Sequence, residues 1–259
     1  MKLLHLILLA GFAWWIGMAP LPAQQVKIMS YNIHHGKDSE GRNMLPSMGD
    51  FIAQMDVDLV ALQEVDSVCE RSYQTDQVDY LAERTSMPGY FTRHFEFQGG
   101  AYGQALISGL TVDTFQNFRL PVFPLDQGRE VSVLIADIHL DDHKHFTLAV
   151  LHLDYRSAES RLHQIDLLWD SLAHIDNLIL AGDFNALPDS PEMDKVLCHF
   201  DRYVFEPETF TFPAIDANRR IDYILVKKGC QLRIICEQVP EVPYSDHLPV
   251  ITTLEWISP

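Results

Sequence analysis

Cysteine is scarce in this 259-residue chain. Cys69, Cys198, Cys230 and Cys236 are its only four, widely scattered and without the close spacing of metal ligands. That excludes a disulfide-dense scaffold and argues against cysteine-bound zinc, so buried or half-buried thiols are expected, with one bridge as the alternative. Positive charge is scarce too: 19 Lys and Arg stand against 36 Asp and Glu, a net charge of -17. A field of that sign repels polyanions at long range and argues against a protein that grips many phosphates of a nucleic acid. It leaves room for a local cationic site, or for a metal that neutralises one phosphate. No Gly/Ser linker, charge block, low-complexity tract or internal repeat divides the chain, so a single catalytic-size domain is expected. There is also no Gly-x-Ser-x-Gly elbow and no Gly-rich phosphate loop, which removes the usual serine-hydrolase and P-loop chemistries.

Long apolar runs are confined to the start. Lys2 precedes an apolar stretch from Leu3 to Gly17, and small residues lead to Ala23 before Gln24. The stretch is about 15 residues, short of the ~20 that span a bilayer, so a secretory leader cleaved after Ala23 is expected in place of a membrane anchor. No cysteine follows that position to take a lipid. The expectation is therefore a leader over 1–23, a catalytic domain over 24–259, and a periplasmic or extracellular protein without stable membrane insertion.

Strands are expected at Val26–Tyr31, Asp58–Gln63 and, after short helices at Pro46–Gln54 and Gln77–Arg84, through a β-dense region from Tyr90 to Leu153. Within it, the polar turn at Asp141–Lys144 predicts a hairpin. Apolar spacing at Leu162, Ile165, Leu168, Trp169 and Leu172 predicts a helix over Ser157–Ala173. A strand at Asn177–Ala181, a helix opening at Pro188–Pro191 and strands at Ile221–Val226, Gln231–Glu237 and Val250–Trp256 complete the pattern. Helices separate some strands and hairpins join others, which predicts an α/β sandwich of mixed sheets with outer helices over a doubly wound parallel fold. Pro249 is expected to place the last strand near a sheet edge.

Polar, chemically competent residues recur at the ends of apolar runs. In Ala181-Gly182-Asp183-Phe184-Asn185, strand alternation sends Asp183 and Asn185 one way and Phe184 the other. The carboxylate can take a proton from water or hold a metal, and the carboxamide can donate to a phosphoryl oxygen, although the same tetrapeptide also makes an ordinary turn. Glu64 and Asn32 each end a strand. Hard oxygen ligands of this kind suit Mg²⁺, while a solvated strand end and a turn former are the plain alternatives. Tyr244-Ser245-Asp246-His247 places an imidazole beside a carboxylate, and Asp222, between Ile221 and Tyr223, is a candidate to orient it. A lone histidine in an apolar strand, such as His152, is more often a hydrogen-bonded core residue. His34 and His35 lie close enough to Asn32 to line a cleft and are assigned no role.

Taken in order from Ser30-Tyr31-Asn32 to Ser245-Asp246-His247, these phrases resemble the endonuclease/exonuclease/phosphatase superfamily. Its fold is that of pancreatic-type deoxyribonuclease (deoxyribonuclease I-like), neutral sphingomyelinases and inositol-phosphate phosphatases. The resemblance implies a four-layer α/β sandwich, two mixed β-sheets packed face to face with outer helices. It implies a phosphoester hydrolase using Mg²⁺ or Mn²⁺, with Glu64 as direct ligand and Asn32 and Asp246 beside the metal. Asp183 would orient or deprotonate water, Asn185 would steady a phosphoryl oxygen, and Asp222 would hold His247 against the phosphate. His152 matches the family's His-Leu phrase and so joins the catalytic set. Arg71, Tyr102 and Arg129 would shape the cleft and contact substrate. Two positions depart from the family: Gln104 where Asn is usual, and Gly109 where a basic residue is common. A phosphodiester substrate is expected, with nucleic acid or a phospholipid head group among the candidates and no protein partner. The alternatives are a phosphomonoesterase acting on inositol or sugar phosphates and a non-catalytic binding protein on the same fold.

Overall fold

A computed structural model describes residues 24–124 and 129–257. The expected leader, 1–23, lies outside the described residues. In chain order the elements are β1 (Gln25–Asn32), α1 (Leu45–Gln54), β2 (Leu59–Ser67), α2 (Gln77–Thr85), β3 (Gly89–Phe97), β4 (Gly100–Ser108) and β5 (Thr111–Pro121). They continue with β6 (Glu130–His139), β7 (His145–His152), α3 (Ala158–Leu172), β8 (Leu178–Asp183), α4 (Pro191–Leu197), β9 (Phe200–Asp201), β10 (Asp222–Lys227), β11 (Leu232–Gln238) and β12 (Val250–Trp256). Helix starts follow local chemistry. Asp76 accepts from the Val78 and Asp79 amides, Ser157 from Ser160 and Ser190 from Met193, each satisfying an amide that has no partner within its helix.

The strands form two six-stranded sheets, ordered β11-β12-β1-β2-β4-β3 and β5-β6-β7-β8-β10-β9. Each is mixed: β1 and β2 run parallel, as do β7 and β8, and the remaining neighbours are antiparallel. Period-2 alternation divides the apolar side chains into layers. Val26, Ile28, Leu59 and Ala61 of the first sheet share one core with Leu148, Val150, Ile179, Ala181, Ile224 and Val226 of the second. The outer faces are covered separately. Met29, Tyr31, Val60 and Leu62 pack with Met48, Ile52 and Leu81 of α1 and α2, while Leu151, Leu180 and Leu225 pack with Ile165, Leu168, Met193 and Val196 of α3 and α4. The result is the expected helix–sheet–sheet–helix sandwich.

Two expectations are corrected. Pro249 does not mark an edge strand, because β12 lies between β11 and β1. Pro249 sits just before the strand, where its missing N–H costs no ladder hydrogen bond. All four thiols are free, Cys69 being buried and Cys230 and Cys236 half-buried as expected, but Cys198 is exposed. It follows the last turn of α4, on the side away from the core. Among the described residues, no helix is long and apolar enough to cross a membrane.

Candidate active site

The site follows from the same alternation that builds the core. Along β1 the inward positions are Val26, Ile28 and Ser30, and the next is Asn32. Along β7, β8 and β10 the inward apolar residues lead to His152, Asp183 and Asp222 at the strand ends. Register then aligns them. His152 is the parallel partner of Asp183, and Asp222 is its antiparallel partner on the other side, so three polar groups form one row across the second sheet. They cap one end of the inter-sheet core.

Glu64 arrives by a different device. Between Leu62 and Val65 the β2–β4 register shifts, and Glu64 adopts φ 59°. A bulge of this kind re-aims one side chain, and here it turns the carboxylate toward Asn32. The Asn32 amide nitrogen lies 3.2 Å from Glu64 Oε1 and 3.2 Å from Asp183 Oδ2, bridging the two sheets. Its oxygen accepts from the His34 amide at 3.1 Å.

The fourth wall is the loop before β12. Ser245 Oγ donates to the Asn32 carbonyl at 2.7 Å, and the Ala214 amide donates to the Asp246 carbonyl at 2.7 Å. These bonds hold Asp246 and His247 against the strand ends. His247 Nδ1 lies 2.9 Å from Asp222 Oδ2, and its Nε2 lies 3.7 Å from Asp183 Oδ2. His152 Nε2 faces the same Asp183 oxygen at 3.5 Å. Phe212 covers the His247 ring at a centroid distance of 4.6 Å. Asn185, at φ 50°, donates its amide nitrogen to the Leu153 carbonyl at 3.0 Å, and its backbone N–H donates to Asp183 Oδ1 at 2.8 Å.

These distances set the charges. Burial would lower His247, but the Asp222 charge and hydrogen bond, followed by the charges of Asp183 and Asp246, raise it to about 10. His247 is therefore an imidazolium at neutral pH. Burial, followed by the Asp222 charge, pushes Asp183 up to about 6, against the opposing pull of His152, His247 and the Asn185 amide. Burial also works to raise Glu64. The His35 contact, the His152 charge, the Asn32 amide and the His247 charge outweigh it and hold the carboxyl far below its usual range. The site thus contains an anion, Glu64, a base poised just below neutrality, Asp183, and a cation, His247.

Beside His152 opens a cavity of about 660 Å³. Its walls are unlike the rest of this acidic surface: Arg71, Arg119, Arg129 and Arg156 alternate with Phe95, Phe97, Tyr102 and Tyr155. Arg71 is already committed. Both its Nε and Nη2 lie 2.8 Å from the buried Asp66, and its guanidinium rests over Phe97 and Tyr102. Arg119 pairs with Glu130. Arg129 Nε is buried with no partner among the described residues, and Arg156 bonds to the Tyr155 hydroxyl. Burial and the Glu64 charge push the Tyr102 phenol well above its ordinary range, and burial lowers His94 at the cavity wall to about 3. Of the two departures, Gln104 is fully buried, neither of its amide atoms meeting a partner among the described residues, and Gly109 lies exposed after β4.

Sequence reasoning passed over two groups that the fold brings here. His34 Nδ1 lies 3.7 Å from Asp246 Oδ1, and His35 Nδ1 lies 3.9 Å from Glu64 Oε2. Their proximity to Asn32 was the available signal. A left-handed turn, with φ 44° and 45°, aims both rings inward. Arg220 is the opposite case. It opens the phrase that contains Asp222, yet it is fully buried and bonded to Glu237, packing between Phe205 and Tyr223. Its role is to anchor the entry of β10.

A two-sheet sandwich that carries carboxylates, an amide and imidazoles at one end of its inter-sheet core has the deoxyribonuclease I-like architecture. The chain belongs to the Endonuclease/Exonuclease/phosphatase family, whose model matches residues 29–247. It is similar in structure to an endonuclease/exonuclease/phosphatase from Beutenbergia cavernae (TM-score 0.76, 20% identity, covering 91% of this chain and 72% of that one). The human Nocturnin catalytic domain gives a TM-score of 0.69 at 20% identity, covering 90% and 94%. A Bacteroides thetaiotaomicron mannosyl-6-phosphatase gives 0.68 at 17% identity, covering 89% and 100%. None of the curated proteins matches the chain.

Proposed function

We propose that the protein hydrolyses a phosphodiester with the help of a divalent cation, by in-line attack of a water that Asp183 activates. The observation that carries this reading is the Asp183 carboxylate, which stands between His152, His247 and Asn32 and has Glu64 across the sheet gap. The residues fit a cation. Among the described residues Glu64 and Asp246 pair with no lysine or arginine; each faces only a half-buried imidazole, His35 beside Glu64 and His34 beside Asp246, so neither carboxylate is neutralised by a fixed positive charge. Glu64 and Asp246 would hold Mg²⁺ or Mn²⁺, with Asn32 beside them. Bound there, the ion would supply Lewis-acid polarisation of a phosphoryl oxygen and charge to offset the leaving oxyanion.

The chain's own groups do the rest. With its pKa raised to about 6, Asp183 is ionised at neutral pH yet remains basic enough to accept a proton from water. Asn32 and the Asn185 amide hold it in place. The His247 imidazolium, oriented by Asp222, donates to a phosphoryl or leaving oxygen. The cavity beside His152 offers room and aromatic walls for an esterifying group, which favours a diester. The similarity to a mannosyl-6-phosphatase, together with the Arg129 and Arg156 guanidiniums at the cavity wall, neither of which pairs with a carboxylate among the described residues, supports a phosphomonoesterase as the second reading. For the substrate itself, the acidic surface points to a small phosphoester or head group ahead of a long polyanion. From the N-terminal pattern we also infer export with cleavage after Ala23, which N-terminal sequencing of the secreted protein tests.

Matched mono- and diester model substrates, assayed with Mg²⁺, with Mn²⁺ and with chelator, test the reading beside a His247→Ala control. Diester turnover that needs the ion and His247 supports it. Turnover confined to monoesters selects the second reading.

A further inference from the structure

The two histidines after β1 do more than line the cleft. One ring nitrogen of His34, one of His35 and a Glu64 oxygen all lie within 4.8 Å of one another. Both Nδ1 atoms are buried and have no hydrogen-bond partner among the described residues. Their nearest carboxylate oxygens, at 3.7 and 3.9 Å, are beyond hydrogen-bonding distance. Such separations suit atoms that share an ion. Two donors each ~2.1 Å from one ion stand about 3.0 Å apart in cis and about 4.2 Å apart in trans.

The turn is built to keep the rings there. The Asn32 oxygen caps the His34 amide, the Ile33 amide donates to the Gln63 carbonyl at 3.1 Å, and the buried Gln77 donates to the His35 carbonyl at 2.8 Å. The rings meet edge to face at 4.4 Å. Residues paired only with solvent need no such support.

We propose that His34 and His35 are imidazole ligands of a divalent cation held at Glu64 and Asp246, and that they select a first-row transition ion over Mg²⁺. Mg²⁺ takes oxygen donors almost exclusively, whereas imidazole nitrogen raises affinity for ions from Mn²⁺ to Zn²⁺. The inference rests on the cation site of the proposed function and adds its nitrogen donors and its selectivity.

Manganese(II) alone is the probe. Electron paramagnetic resonance follows Mn²⁺ binding, and Mg²⁺ competition gives the second affinity. Electron spin-echo modulation detects ¹⁴N coordinated to bound Mn²⁺. Wild type is expected to show ¹⁴N coupling. His34→Gln and His35→Gln should each weaken Mn²⁺ binding about tenfold, with Mg²⁺ affinity changed less than threefold, and the double variant should lose the coupling. The single variants, checked by melting temperature, serve if the double variant does not fold. Equal losses for both ions, or ¹⁴N coupling retained without the two histidines, would overturn the inference. If Glu64→Gln abolishes Mn²⁺ binding while the histidine variants bind normally, the imidazole ligands are refuted and the cation site stands. If wild type binds no Mn²⁺ at all, the cation reading fails with them.

Discussion

Replacing Asp222 with asparagine isolates the charge that sets the His247 proton. The two side chains are buried and 2.9 Å apart. Lifting an imidazole from its ordinary 6.5 to about 10 corresponds to roughly 5 kcal/mol in favour of the charged form. Asp222 supplies the largest favourable share, while burial works against it. The Asp222→Asn variant keeps the shape of the pair but removes the charge, so burial prevails and His247 becomes neutral at much lower pH. A general acid contributes about 10²–10⁴-fold, so kcat/KM at pH 8 should fall by that order, roughly 3–5 kcal/mol of barrier. The deficit should be larger for a phenyl ester than for a p-nitrophenyl ester, because the poorer leaving group depends more on proton donation. In wild type the pH profile should be bell-shaped, rising near 6 as Asp183 ionises and falling near 10 as His247 deprotonates. Asp222→Asn should move the alkaline limb acidward, and NMR titration of the His247 ring should track it. A variant that keeps the wild-type alkaline limb and lies within threefold of wild-type activity on both esters would refute this reasoning.

His247 has a raised pKa, so between pH 6.5 and about 10 the native state holds a proton that the unfolded chain releases; the smaller Asp183 contribution is lost at lower pH, between about 3.8 and 6. Urea-unfolding stability of the metal-free protein should therefore fall as pH rises from 6.5 through about 10, by up to roughly 5 kcal/mol; a flat profile would contradict the His247–Asp222 pair. Glu64→Gln should abolish turnover and divalent binding by calorimetry while leaving the melting temperature within a few degrees, and unchanged binding would show that the ion sits elsewhere. A Cβ at Gly182 would meet the Leu151 carbonyl oxygen at 1.9 Å, so Gly182→Ala should part β7 from β8 and cost several kcal/mol, read by denaturant melts. Arg220→Met leaves the buried Glu237 carboxylate unpaired and should cost about 3–5 kcal/mol; a loss under 1 kcal/mol would mean that water or protonation relieves it.

Much of this site was legible because it obeys a periodic rule. Asp183 and Asp222 end strands whose apolar alternation is plain in the sequence, and each continues the inward face by one step. His152 follows the same rule, yet a single histidine in Val150-Leu151-His152-Leu153 reads equally well as core until the parallel register sets it beside Asp183. Glu64 breaks the rule. Its inward aim depends on a bulge between Leu62 and Val65 that no local pattern announces. The roles of His34, His35 and Arg220 depend on partners distant along the chain: Asp246, 212 residues on, for His34; Glu64, 29 residues on, for His35; and Glu237, 17 residues on, for Arg220. Pro249 misled for a simple reason. A proline next to a strand and a proline within one carry different hydrogen-bond costs, and the boundary decides between them.

Hydrolysis in ¹⁸O-labelled water tests the central claim most directly. A simple phosphodiester incubated with wild-type protein and Mn²⁺ should yield a phosphoryl product carrying one ¹⁸O, with turnover abolished by chelator and by Asp183→Asn. If protein shown to bind Mn²⁺ turns over no phosphodiester or monoester, or if turnover proceeds with the label in the alcohol product and is indifferent to Asp183, the account is contradicted.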